Sequence, residues 1–241
     1  MTKAETIFQK ELSLIHDKTI KQFVITCFDK LCPDYFWTCP CSTTGKYHPQ
    51  VSLGIGGLVR HTKLAVWWGI ELLRALGTSP ELKDITTLQD EVTATLLLHD
   101  MIKNGKGLNA QGRPLEKGMT GTHGVTLADK IGDESFTVPE EIEASCYRIL
   151  TGIACHMGIW TTDPEYRPNC EALDYTHRAF ANLIHLADYC ASRKVDKIYR
   201  KLQGEQDDPI QQTTNETRKS PPCPGVRPTE SRQTTTTENG Q

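Results

Sequence analysis

Six residues of this chain are of types that hold metal ions, and they follow one another as H…HD…H…H…D: His61, His99, Asp100, His123, His156 and Asp188. The four histidines stand at the ends of apolar helical segments or at loop–helix junctions, each in a different segment. A helical bundle can bring such positions to one point. Asp100 adjoins His99 at the end of the apolar run LLLHD. Asp188 lies within LIHLADYCA, where an unpaired carboxylate is costly to bury and a cation would remove the cost. Imidazole and carboxylate donors together suit Zn, Mn, Fe, Ni and, less readily, Mg. Taken singly, each of these histidines is more often a hydrogen-bonded core or surface residue, and an isolated His-Asp pair says little. The weight rests on six ordered positions, each in a fitting context.

The elements that must position them read as helices. GLVRHTKLAVWWGIELLRALG predicts a strong helix that carries His61 and ends at Gly77. LQDEVTATLLLHDMIK predicts a second, with Thr87 as N-cap and Asp90 in its first turn, delivering His99 and Asp100 from a buried segment. The basic, Gly-rich stretch NGKGLNAQGRPLEKGMTG reads as a loop, and HGVTLADKIG opens a helix at His123. PEEIEASCYRILTGIACH leads to His156, with Thr137 and Pro139 placed as N-cap and early helical residues. After the loop MGIWTTDPEYRPNCEAL, a long last helix, YTHRAFANLIHLADYCASRKVDKIYRKL, holds Asp188. Upstream, Ile7, Leu12, Ile15, Ile20, Phe23, Val24 and Phe28 are spaced for one or two amphipathic helices. CPDYFWTCPCSTTGKYHPQVSLGIGG reads as a loop with aromatic anchors. With no period-two pattern and no internal repeat, the expected fold class is all-α.

Composition bounds the rest. In 241 residues, the stretch 203–241 is rich in Thr, Gln, Pro and Glu and has almost no large apolar side chain. It cannot bury enough surface to offset the entropy of ordering, so it reads as a disordered tail. The expected organisation is residues 1–50 as N-terminal helices and loop packing on the core, 51–202 as a metal-binding helical domain, and 203–241 as the tail. Six acids and four bases of the net charge of −3 fall in that tail, leaving a body near neutrality. Such a body has no field to hold duplex DNA, although a small anionic ligand is compatible with it. The polar start MTKAETIFQK has no signal-peptide core, and no apolar run reaches membrane-spanning length, so a reducing, cytoplasmic setting with free thiols is expected. Cys39 and Cys41 are too close for the usual CxxC zinc knuckle, and the cysteines read as small buried hydrophobes.

These motifs resemble the HD-domain superfamily of metal-dependent phosphohydrolases. His61 in GGLVRHT matches its first histidine, His99-Asp100 in LLLHDMIK the pair that names it, and Lys103 the HDxxK variant. His123 in GTHG and His156 in ACHMGIW match the later histidines of dinuclear members, and Asp188 in HLADYCASRK the closing aspartate. Over residues 45–195, with YHPQVSLGIGGLVRHT as its clearest part, the chain is also similar to the HD domain of a bacterial 3′→5′ exoribonuclease family. The resemblance implies an HD helical bundle. It also implies two divalent transition-metal ions, Mn, Fe, Ni, Zn or Mg. One would be held by His61, His99, Asp100 and Asp188, and the second by His123 and His156, with Asp100 as the bridge. Asp100 and Lys103 would then be catalytic, Lys103 by meeting a phosphate oxygen; the plainer reading of Lys103 is a helix C-terminal cation facing the dipole, with no part in catalysis.

The implied activity is that of a metal-dependent phosphoric ester hydrolase: a phosphodiesterase using metal-activated hydroxide on a nucleotide or short single-stranded nucleic acid. A mononuclear nucleotidase, a di-iron oxygenase and a metal-stabilised binding module without catalysis use overlapping ligand sets and stay open as alternatives. Substrate contacts are expected from Lys46 and His48 in the loop before the first metal helix, from Arg60 beside His61, from Trp160 by stacking, and from His185 one turn before Asp188. Four of these have a plainer reading: a turn for Lys46 and His48, a solvated helix residue for Arg60, a packing residue for Trp160. His16 and His177 read as surface residues, and neither a membrane nor a duplex is expected as partner; a homo-oligomer is compatible with the sequence.

Overall fold

The computed structural model describes residues 1–42, 48–76, 82–83, 85–103, 122–133, 136–161 and 163–193. Among them are eight α-helices and no strand, the all-α fold the periodicities predict. They are α1 (Lys3–Ile7), α2 (Gln9–Leu12), α3 (Lys18–Leu31), α4 (Gly57–Leu76), α5 (Leu88–Leu98), α6 (His123–Gly132), α7 (Glu143–Cys155) and α8 (Tyr175–Ala191). The expected Gly-rich loop 104–121, Lys46, the turns expected beyond Arg193 and the tail 203–241 lie outside the described residues. No described helix is long and apolar enough to cross a membrane.

The frame is built around α5. From Leu88 to Leu98 every residue but Gln89 is buried, because α5 is packed by α3, α4, α7 and α8. A helix buried on all sides must satisfy its polar groups internally. Asp90 accepts from the Asp17 amide at 2.7 Å. Glu91 is clasped by Arg148 through two bonds of 2.7 Å and takes a third from Thr87 Oγ1. Thr93 and Thr95 return their hydroxyls to the carbonyls of Gln89 and Glu91. Thr87 thus stands at the N-cap position, but its hydroxyl serves Glu91 and makes no cap bond, which differs from its expected role.

Two boundaries also differ from expectation. The N-terminal periodicity is divided into three helices, not one or two. A capping box between Thr2 and Glu5 starts α1, Phe8 interrupts the run, and Asp17 starts α3 by accepting from the amides of Thr19 and Ile20. Phe8 is fully buried against Phe28, Phe36 and Trp37, with ring centroids 5.3 to 6.2 Å away, so tertiary packing overrides local propensity there. Pro139 precedes a 3₁₀ turn, Glu140–Ile142, and α7 begins only at Glu143. The fixed φ of proline suits either start; burial of Ile142 under the 3₁₀ turn selects this one.

Candidate metal centre

Five helices deliver the six ligand-type residues, and the structure brings all six together. His61 sits in the first turns of α4, His99 is the C-cap of α5 with Asp100 next to it, His123 opens α6, His156 is the C-cap of α7, and Asp188 lies near the end of α8. The four imidazoles are fully buried, and Asp100 nearly so. Two of the contributing helices point their C-termini at the cluster, where the helix dipole favours a cation.

The ends of α5 and α7 also set two ring orientations. As a helix stops, its last carbonyls lose their amide partners. His99 Nδ1 donates to Leu96 O at 2.7 Å, and His156 Nδ1 donates to Ile153 O at 2.7 Å. A carbonyl only accepts, so the proton of each neutral ring is on Nδ1 and its Nε2 offers a lone pair. This pairing of one ring nitrogen with a backbone carbonyl is the usual arrangement behind a metal-ligating histidine.

The ligand atoms fall into two nests that share Asp100. In the first, His61 Nε2 lies 2.9 Å from Asp188 Oδ1 and 3.4 Å from Asp100 Oδ2, while His99 Nε2 lies 3.7 and 3.6 Å from the same two oxygens. In the second, His123 Nε2 lies 2.8 Å from Asp100 Oδ1 and 2.9 Å from His156 Nε2, and His156 Nε2 is 3.4 Å from that oxygen. Donors about 2.0–2.2 Å from one ion are spaced about 3 Å from one another, so both nests have the dimensions of a coordination sphere. The first has a further mark. His61 Nε2, His99 Nε2 and Asp188 Oδ1 are buried without a hydrogen-bond partner. His61 and Asp188 approach closely but are not aligned to bond to each other, so the nest gathers unsatisfied donors of the kind a cation would satisfy. The residues present therefore fit a metal ion.

Protonation supports this. Burial lowers His61, and it lowers His123 to about 4, so both rings are neutral near pH 7. Burial works against ionisation of Asp100 and Asp188, but it is overcome. Lys103 and His99 hold Asp100 well below the usual carboxylate range, and His61 and His99 do the same for Asp188. Burial also opposes a charged His99, yet Asp100 and Asp188 together raise it. A cation held between those carboxylates and His99 would need that ring deprotonated at Nε2.

Around the nests, Lys103 is 8% exposed, with Nζ 2.7 Å from Asp100 Oδ2 and 3.7 Å from Cys41 Sγ. The carboxylates and Cys41 outweigh burial and raise its pKa, so it stays an ammonium. The His48 ring packs edge-on to His61 with centroids 5.2 Å apart, and its Nε2 is 3.4 Å from Ser192 Oγ. Burial, then Lys103 and His61, push His48 down to about 3, which makes it a neutral wall of the site. Cys41 joins His48 and His61 within 4.8 Å. Spacing to a second cysteine was no guide to it, because its neighbours are distant in sequence. The adjoining Lys103 ammonium disfavours a separate cation there.

Other expected substrate contacts are distributed differently. Arg60 spends its guanidinium on three carbonyls of the preceding loop, Val51, Leu53 and Ile55, and so braces that loop. His185 Nδ1 donates to His156 O at 2.7 Å and supports the segment after α7. Trp160 is half-exposed beside His185. His16 is exposed, although its ring reaches Asp90 at 3.2 Å. His177 is not a free surface residue: its side chain is 15% exposed, edge-on to Tyr147 and bonded to Asp174 at the start of α8. Among the described residues the eight cysteines form no disulfide with one another.

Compared with protein-family models, curated proteins and solved structures, the chain has no match in any of the three.

Proposed function

We propose that this chain is a metal-dependent phosphohydrolase of the HD-domain kind, acting as a phosphodiesterase on a nucleotide or short oligonucleotide. The observation that carries the reading is the division of Asp100: Oδ2 faces His61 and His99, while Oδ1 faces His123 and His156. One carboxylate split between two histidine pairs is the donor set of a bridged dinuclear centre. Bound there, two divalent cations supply the charge that polarises a phosphoryl group and acidifies water.

The chain's own residues do the rest. His61, His99 and Asp188 would hold one ion, His123 and His156 the other, and Asp100 both. The carbonyls of Leu96 and Ile153 fix two imidazoles so that little reorganisation accompanies loading. Buried Lys103 keeps a positive charge at Asp100 Oδ2, and that charge would meet negative charge growing on a phosphoryl oxygen. Among the nest carboxylates, only Asp188 has an appreciably exposed side chain, at 15%, so substrate would enter from that side while the histidines stay dry. Drying strengthens every electrostatic contact within.

The test is metal analysis and hydrolysis on one preparation. Protein grown with added Mn²⁺ should carry about two equivalents of metal and cleave bis(p-nitrophenyl) phosphate faster than p-nitrophenyl phosphate. A single equivalent with the opposite preference indicates a mononuclear monoesterase. Full loading with no hydrolysis but oxygen consumption indicates a di-iron oxygenase, and full loading with neither indicates a structural metal.

A further inference from the structure

Beside the open flank at Asp188 lies an aromatic surface that the metal centre does not use. Trp160 is 50% exposed and Tyr189 37% exposed. Their planes lie within 15° of each other, with centroids 5.9 Å apart. The Arg193 guanidinium sits 3.7 Å from the Tyr189 ring centroid and 5.8 Å from that of Trp160. Two near-parallel rings and a planar cation left at the surface make a poor boundary with water and a good one with another flat π system.

The surface is fixed to the ligands themselves. Tyr189 follows Asp188 in α8, and Trp160 ends the 3₁₀ turn Gly158–Trp160 just after His156. His185 joins the two sides: it bonds to His156 O, and its ring lies 5.8 Å from Trp160 and 6.3 Å from Tyr189. Gly158 permits this closeness. Its φ is +59°, and a Cβ there would run into the His185 ring. A group resting on Trp160 is therefore held in a set relation to the nests.

We propose that Trp160 and Tyr189, backed by Arg193, seat the nucleobase of the substrate while its phosphate reaches the metal centre past Asp188. This rests on the phosphohydrolase reading above and narrows it to esters that carry a base. Recognition by ring face is tolerant of base identity, because every base has a π face and stacking reads no hydrogen-bond pattern. The Arg193 charge complements the phosphate that accompanies the base.

The experiment compares binding of AMP and ribose 5-phosphate by calorimetry, with Mn²⁺ present, to the wild type and to Trp160→Ala, Trp160→Phe and Tyr189→Leu. The two ligands share the phosphate and the sugar and differ in the base. The wild type should prefer AMP by about tenfold to a hundredfold, the range for one stacked base. In Trp160→Ala the ratio should fall close to one, in Tyr189→Leu part of the way, and in Trp160→Phe it should largely survive. Because Trp160 is half-exposed, its variants should melt with the wild type, and a change in ratio then reports the surface itself. Equal binding of the two ligands by the wild type, binding of neither, or an unchanged ratio in Trp160→Ala overturns the proposal. So does a concentration-dependent dimer that Trp160→Ala abolishes without touching the ratio, which would assign the rings to a contact between copies. The two readings fail separately. Hydrolysis of simple esters with a ratio of one removes the base seat alone, whereas a preference for AMP without hydrolysis removes the catalytic reading alone.

Discussion

Gly124 lies directly against His156: a Cβ on Gly124 would come within 2.9 Å of His156 Nδ1 and would also strike the carbonyl of Ile153, the atom that orients that ring. The close approach of α6 to α7 at this glycine is what lets His123 and His156 meet at 2.9 Å. Gly124→Ala should therefore push the two helices apart and disturb the second nest while leaving the first. Overpacking of this kind costs about 1–3 kcal/mol. The expected outcome is a lowered melting temperature and about one lost equivalent of metal, read by thermal scan and elemental analysis. Retention of both ions would show that α6 can shift without moving His123.

Substitutions at the ligands should separate the nests. Asp100→Ala removes a donor from each and should strip both ions. His123→Ala should empty mainly the second nest, leaving His61, His99 and Asp188 loaded. Lys103→Met should behave differently from both. Its ammonium competes for Asp100 Oδ2 at 2.7 Å, so the variant should keep or tighten its metal while turnover drops by an order of magnitude or more. Elemental analysis and diester hydrolysis on the wild type and these three variants check all of this, and loss of metal from Lys103→Met would contradict it.

Stability in chelator should fall as pH drops below neutrality. His48 and His123 titrate in the folded protein at about 3 and about 4, and His61 is lowered as well, against about 6.5 when unfolded. Below that unfolded value the denatured chain binds protons that the folded chain refuses, so stability rises with pH across this window. His99 runs the other way. Its raised value adds stability that is complete below about 6.5 and lost only as pH climbs from there through the folded value, so it acts above the window of the other three and does not oppose them within it. Melting temperatures should thus increase from pH 4.5 to about 6.5 and level off or decline above it. A flat or falling profile between pH 4.5 and about 6.5 would mean that His48, His61 and His123 are protonated in the folded state.

Arg148→Met should be among the most damaging substitutions far from the metal. Glu91 is fully buried in α5 and bonded twice to Arg148, whose side chain is 18% exposed. Removing one partner of a buried pair typically costs about 3–5 kcal/mol, since the other charge is left stranded. Glu91→Gln with Arg148→Met should recover part of the loss, as a denaturant-unfolding cycle would show. Equal stability of the single and double variants would assign the damage to lost packing of the Arg148 stem.

The ligand cluster was legible because its members are polar groups stranded in apolar helical runs. LLLHD and HLADYCA announce buried charge, and buried charge needs a partner. Helix type and number followed from periodicity for α4 to α8, though α7 starts later than its Pro139 signal implied. What remained illegible depends on distant neighbours. Nothing near Arg60 in sequence tells that three carbonyls will claim its guanidinium, nor near Cys41 that Lys103 will lie against its sulfur. Tyr189 could have been suspected from its place beside Asp188, but only the course of the chain after His156 sets Trp160 alongside it.

The burial of α5 on every side bears on how fast anything at its end can change. Amides in this helix are reached by solvent only through openings that also disrupt α3, α4, α7 or α8, so their hydrogen exchange should approach the limit set by global unfolding. His99 and Asp100 hang from that slowest-opening segment. An ion seated on them, as proposed, would leave by the Asp188 flank without any loosening of the frame, and its residence time would then be a property of the rim rather than of the bundle.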